Sequence, residues 1–223
     1  MNDDELREFA SQLRKPKGQT GIDIGEKMNK GNVHMNRFTI KVLAVAPGDN
    51  ILEIGMGNGF FVKEILDIHP SVTYVGCDYS ELMVEQSIKL NHEFVREGRA
   101  KFLTATANAL PFKNETFNKI FTVNTLYFWD DYDAVLTEIK RILKPGGELI
   151  ISIRPKSLMQ YYPFVQYGFT MFSADEAKDL LLKNGFVLSR IIERDEPEQT
   201  INGEKVKVAT LIIVGKKDIM SSS

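Results

Sequence analysis

Three observations predict an α/β fold with a doubly wound, mostly parallel seven-stranded sheet for this 223-residue chain. From Asn50 onward, apolar strand-like runs alternate with helical segments, the pattern of βαβ units. A turn of alternate glycines, Gly55, Gly57 and Gly59, follows the first run directly and opens a helix. The last two runs have no helix between them, so an antiparallel hairpin closes the sheet.

The strands expected are Ile51–Ile54, Thr73–Gly76, Lys101–Ala105, Lys119–Val123, Glu148–Ile153, Phe186–Glu193 and Val206–Val214. Runs such as Leu149 to Ile153 are apolar throughout, as in strands buried on both faces. Helices are expected over Phe60–Ile68, Glu81–Glu97, Tyr132–Leu143 and Ala174–Asn184. The last of these opens on a capping box, Ser173 with Glu176, and stops at Gly185. Lys144-Pro145-Gly146-Gly147 reads as a turn between helix and strand, and Asn202-Gly203 as the hairpin turn. Before the sheet, Met1–Arg14 and Met35–Ala46 have helical spacing, whereas the glycine- and lysine-rich stretch Lys15–Gly31 reads as a loop or lid. The expected division is a helical lid over 1–46, a ligand-binding domain over 47–218 with an insertion at 156–172, and a mobile tail at 219–223.

Composition narrows the function classes. The chain has 43% hydrophobic and 26% charged residues, which argues against disorder. Net charge is −2 with no basic run, so no nucleic-acid partner is expected. Cys77 is the one cysteine, which rules out an internal disulfide and suits a reducing compartment. No apolar stretch has the roughly 18 residues of a membrane helix, so a soluble, cytoplasmic protein without membrane insertion is expected, as monomer or homodimer. No His/Cys/carboxylate cluster has metal-ligand spacing, and no metal is expected. Cys77, at the end of an apolar strand, reads as core filler.

The glycine turn after Ile51-Leu52-Glu53-Ile54 lets backbone run close to a nucleotide-like ligand. A dinucleotide fingerprint needs a small residue where Phe60 stands, so a nicotinamide-dependent oxidoreductase is disfavoured. Four ordered segments point elsewhere: Leu52-Glu53-Ile54-Gly55-x-Gly57-x-Gly59, Val75-Gly76-Cys77-Asp78-Tyr79-Ser80, Leu110-Pro111-Phe112 followed by Phe117, and Leu143-Lys144-Pro145-Gly146-Gly147. With them, residues 50–155 resemble the class I S-adenosylmethionine-dependent methyltransferases, especially the small-molecule group that includes the ubiquinone/menaquinone-biosynthesis C-methyltransferases.

That resemblance implies a Rossmann-like fold, S-adenosyl-L-methionine as cofactor, S-adenosyl-L-homocysteine as product, and methyl transfer to a small, apolar or aromatic acceptor. It places Gly55, Gly57 and Gly59 along the methionine and ribose, Glu53 toward the ammonium, and Asp78 on the ribose hydroxyls. Tyr79 and Met83 would cover the adenine, and Asn124 would meet the methionine end. This chain departs from the family where an adenine-binding Asp is usual: Thr106 stands there, followed by Ala107, with Asn108 as a rival. Asn124-Thr125-Leu126-Tyr127 lacks the two prolines of the Asn-Pro-Pro-Tyr motif of amide and base N-methyltransferases.

Methyl transfer from a sulfonium requires alignment and exclusion of water more than a catalytic triad. His34 and Tyr127 are the candidate bases, with Tyr161 or Tyr162 behind them. The aromatic, nearly uncharged segment 156–172, with Tyr161, Tyr162 and Phe164, is expected either to wall an acceptor chamber with Met28 to Phe38 or simply to pack on the sheet edge. A non-catalytic cofactor-binding protein is the alternative from a different class.

Overall fold

In a computed structural model, residues 1–201 and 203–219 are described, the side chains of 201 and 204 excepted. Seven strands form one sheet: β1 (Asn50–Ile54), β2 (Thr73–Asp78), β3 (Ala100–Thr104), β4 (Phe117–Val123), β5 (Leu143–Ile153), β6 (Val187–Ile201) and β7 (Glu204–Lys216). Their order is β3-β2-β1-β4-β5-β7-β6. The first five pair parallel, and β7 runs antiparallel to both β5 and β6. The predicted turn's Asn202, and residues 220–223 of the predicted tail, lie outside the described residues.

Alternation along the strands makes two cores. Leu52 and Ile54 of β1, Leu149, Ile151 and Ile153 of β5, and Leu211 and Ile213 of β7 face one layer. There they meet α7 (Tyr132–Ile142) and α9 (Ala174–Lys183) through Leu136, Ile139 and Leu181. Ile51, Ile150, Ile212 and Val214 face the other layer. That layer holds Met35 and Leu43 of α3 (Val33–Leu43), Ile65 and Leu66 of α4 (Val62–Leu66), and Val84 of α5 (Glu81–Leu90). One polar seam crosses this second layer: Thr39 and Ser152 share a 2.6 Å hydrogen bond while buried.

Local chemistry starts and stops the helices. Ser173 and Glu176 form the predicted capping box of α9, which ends before Gly185 at φ 71°. The same device, Asn2 with Glu5, starts α1 (Asp3–Arg14).

Three expectations are corrected. Lys15–Gly31 is no loop: α2 spans Gly18–Gly31. Its glycines permit close approach, since a β-carbon at Gly21 would come within 2.8 Å of the Pro16 carbonyl carbon and 3.1 Å of Leu82 in α5. Second, Glu81–Glu97 is not one helix. It breaks at Asn91, whose buried amide donates to the Gly59 and Ser87 carbonyls (3.0 and 3.1 Å), and α6 (His92–Arg96) follows. Third, Lys144–Gly147 does not separate helix from strand. It bulges within β5, whose register with β4 jumps from Phe117↔Leu143 to Lys119↔Glu148.

Candidate functional site

The strand order reverses between β1 and β4, and such a reversal opens a crevice at the carboxyl ends of the strands. A cavity of about 370 Å³ lies there, roofed by the N-terminal helices. Glu53, Gly55, Gly57, Asp78, Tyr79, Met83, Thr106, Ala107 and Asn124 all line it. Residues drawn from four strand ends thus meet at one place.

Gly59, the remaining residue of the predicted cofactor set, does not line the cavity. A β-carbon there would stand 2.8 Å from Ser87 Oγ and 2.9 Å from Asn91 Nδ2, so its bareness serves the seat of the turn on α5. Ser87 Oγ also donates to the Gly57 carbonyl at 3.0 Å. The turn is therefore held from behind by α5.

Glu53, next to last in β1, is 6% exposed, and its Oε2 accepts the Tyr74 hydroxyl at 2.5 Å. Burial lifts its carboxyl from 4.5 to about 7; the Tyr74 bond opposes this and the charge of Asp78 adds to it. Asp78 accepts the Gly57 N–H at 3.0 Å and the Ser80 N–H at 2.8 Å. Burial still raises it from 3.8 to about 6. Among the described residues no cation pairs with either acid. Two destabilised carboxylates facing one cavity suit a ligand that brings positive charge and hydroxyl donors, as the ammonium, sulfonium and ribose of S-adenosylmethionine do.

Asn124 adopts φ 58°, a left-handed conformation that asparagine tolerates better than most residues. Its N–H donates to the Ser152 carbonyl at 2.9 Å, and its Oδ1 accepts the Tyr127 hydroxyl at 3.0 Å. The residue also lines the cavity.

The predicted bases are not brought to the cavity. His34 is exposed on α3 and absent from the lining; Asn32 and Asn36 on either side of it reach in instead. Tyr127 is 3% exposed, and its oxygen accepts the Arg154 N–H at 2.5 Å. Burial raises its hydroxyl well above the ordinary tyrosine range. Its place is to hold Asn124. Removing a general base costs roughly 10²–10⁴ in rate. By contrast, Tyr127→Phe is expected to slow turnover less than about tenfold and to cost roughly 1–3 kcal/mol of stability through the unpaired partners. His34→Ala is expected to leave the pH–rate profile in place.

Tyr161, Tyr162 and Phe164 do not line the cavity either. Phe164 packs against Phe9 of α1 and Phe169 (5.3 and 5.4 Å between ring centres) and stacks on Tyr162 at 5.3 Å. These aromatic rings fasten α1 to the segment that follows β5. Sequence spacing registers that such a segment is apolar but not which surface it covers.

The lining also holds residues with no sequence signal of their own: Arg14, Phe128, Trp129 and Asp130. They come from the end of α1 and from the loop after β4, and only the fold brings them together. Lys15 sits 3.8 Å over the Tyr79 ring, and buried Ser80 donates to the Pro16 carbonyl at 2.6 Å, which pins the α1–α2 link across the cavity. Among the described residues, no group of three or more His, Cys, Asp and Glu side chains is placed to hold a metal ion, and no helix is long and apolar enough to cross a membrane.

Comparison with known proteins agrees with this fold. A family model described as a methyltransferase domain matches residues 52–151. The uncharacterised methyltransferase YdaC of Bacillus subtilis is 30% identical over 132 residues, covering 59% of this chain and 71% of that protein. The ubiquinone/menaquinone biosynthesis C-methyltransferase UbiE of Desulfotalea psychrophila is 30% identical over 150 residues, covering 63% and 59%. The chain thus spans under two thirds of that second relative's length. In fold, the crystal structure of YcgJ from Bacillus subtilis superposes with a TM-score of 0.66 at 17% identity, over 83% of this chain and 98% of that one.

Proposed function

Because the chain belongs to the class I S-adenosylmethionine-dependent methyltransferases, with their Rossmann-like fold and cofactor, we propose that it methylates a small, apolar or aromatic acceptor. One observation carries this reading. The cavity at the strand-order reversal joins two cation-seeking acids, Glu53 and Asp78, to an apolar wall of Leu13, Met28, Phe128 and Trp129. Its volume, about 370 Å³, falls within the ordinary range for small-ligand sites.

S-adenosylmethionine supplies a methyl group already activated on sulfur. The chain's part is to bind, orient and exclude water. In this reading Glu53 holds the ammonium, Asp78 the ribose hydroxyls, and Asn124 the methionine end. Tyr79 and Met83 flank the adenine, while Thr106 and Ala107 serve its edge. Met28, Asn29, Asn32 and Asn36 roof the acceptor.

Calorimetry gives the first test: S-adenosylhomocysteine is expected to bind and NADH is not. Transfer of labelled methyl to a panel of quinols, phenols and amines is the second. Tight S-adenosylhomocysteine binding without transfer to any of them would favour the non-catalytic alternative.

A further inference from the structure

We infer that the acceptor is bound and methylated as an anion, ionised before it enters, and that Arg14 is the binding residue that selects that form. The inference rests on the methyltransferase reading above and names its substrate class.

Among the described residues, Arg14 is the one basic side chain lining the cavity. Its guanidinium donates to both oxygens of Asp130, at 2.7 and 2.8 Å, across 116 residues of sequence. The carboxylate is held loosely: among the described residues Asp130 has no other hydrogen bond, and its side chain is 84% exposed against 40% for Arg14. Exposed pairs of this kind contribute little, so exchanging Asp130 for another anion costs little. A planar guanidinium fork suits a carboxylate or phenolate better than it suits a neutral group.

Apart from Asp130, whose side chain is 84% exposed and open to solvent, each other titratable group on the lining is already committed. Glu53 accepts from Tyr74, and Asp78 accepts two backbone N–H groups. Asp131 caps α7 through the Ala134 N–H at 2.9 Å. Cys77 is buried, which pushes its thiol far above the ordinary range. Tyr79 lies beneath Lys15. Removal of the acceptor's proton therefore falls to solvent, before binding. In the transfer itself, the acceptor anion's electron pair forms the bond to the methyl carbon. The carbon–sulfur pair returns to sulfur, which leaves neutral S-adenosylhomocysteine and a methylated acceptor with one unit less negative charge.

The test uses the full chain saturated with S-adenosylhomocysteine and 4-nitrophenol as probe, because its phenolate is read by absorption. A guanidinium beside an anion lowers its pKa by roughly one unit or more. Bound 4-nitrophenol is therefore expected to ionise about one pH unit lower than free probe. Arg14→Gln is expected to abolish the shift, Arg14→Lys to keep part of it, and Asp130→Asn to enlarge it. In turnover, the pH–rate midpoint for a series of phenols should follow each acceptor's own pKa, and benzyl alcohol should react at least about a hundredfold more slowly. No saturable probe binding, an unshifted or raised probe pKa, a shift that survives Arg14→Gln, or one midpoint common to all acceptors would each overturn the inference. Failure to bind S-adenosylhomocysteine, measured first, would instead overturn the methyltransferase reading.

Discussion

Glu53→Gln is expected to weaken S-adenosylhomocysteine binding at pH 8 by roughly 10- to 100-fold and, without ligand, to make the protein more stable than the wild type at that pH. Both effects come from one carboxylate. A hydrogen bond to a charged group contributes about 1.5–3 kcal/mol, and each 1.4 kcal/mol is about tenfold in affinity. Gln keeps the shape and still accepts the Tyr74 hydroxyl, so loss of charge is the main change.

The stability effect follows from the raised pKa, and its sign is fixed by linkage. The folded protein keeps the Glu53 proton up to about pH 7, whereas the unfolded chain releases it near 4.5. Below 4.5 the group is protonated in both states and costs nothing. Stability then falls as pH rises through 7, and above that the full cost of a buried charge applies, up to about 3 kcal/mol. In the wild type, ligand affinity should therefore rise between pH 6 and 8, as the ammonium becomes the missing counter-charge. Melting and calorimetry on both proteins from pH 5 to 8 check this. A Gln variant with wild-type affinity, or one less stable than wild type at pH 8, would remove Glu53 from the cofactor site.

The sheet was legible in the sequence because its signals are local and redundant. Alternating apolar runs, the Ser173 capping box and Gly185 each act within a few residues, and every predicted strand is present, with β6 and β7 extending beyond their expected ends. The strand-end half of the cavity was legible for a related reason. Glu53, Gly55 and Asp78 stand at strand ends, where the topology itself assembles ligand sites. The N-terminal half was legible only in part: Met28–Phe38, expected at the cavity, supplies Met28, Asn29, Asn32 and Asn36, whereas helix α2 falls where the sequence reads as a loop. Glycine in Lys15–Gly31 usually signals a loop, but here Gly21 and Gly25 let α2 approach Pro16 and Met83, and tertiary packing overrides propensity. His34 and Tyr127 illustrate the same limit, since residue type suggests chemistry while orientation decides it. One faces solvent, and the other is sealed behind Asn124.

The glycine turn offers the sharpest separation of fold from function. Gly55 and Gly57 both sit at positive φ, 76° and 58°, and both line the cavity. Their surroundings differ. A β-carbon at Gly55 would overlap the Thr125 side chain, whereas among the described residues nothing beyond the two chain neighbours lies within 4 Å of one at Gly57. Left-handed backbone costs a non-glycine residue roughly 1–2 kcal/mol, and overpacking adds roughly 1–3 kcal/mol. Gly55→Ala is therefore expected to lose about 2–5 kcal/mol, a fall in melting temperature of roughly 5–15 °C for a chain of this size. Gly57→Ala should lose only the backbone share. Its new methyl group would occupy space along the cavity wall, so ligand affinity should fall further than stability, by about tenfold or more. Gly59→Ala should behave in the opposite way, with stability lost to Ser87 and Asn91 and affinity affected through the turn they support. Melting curves and S-adenosylhomocysteine titrations on the three variants separate these outcomes. If Gly57→Ala binds S-adenosylhomocysteine as tightly as the wild type, the nucleoside does not run along this turn.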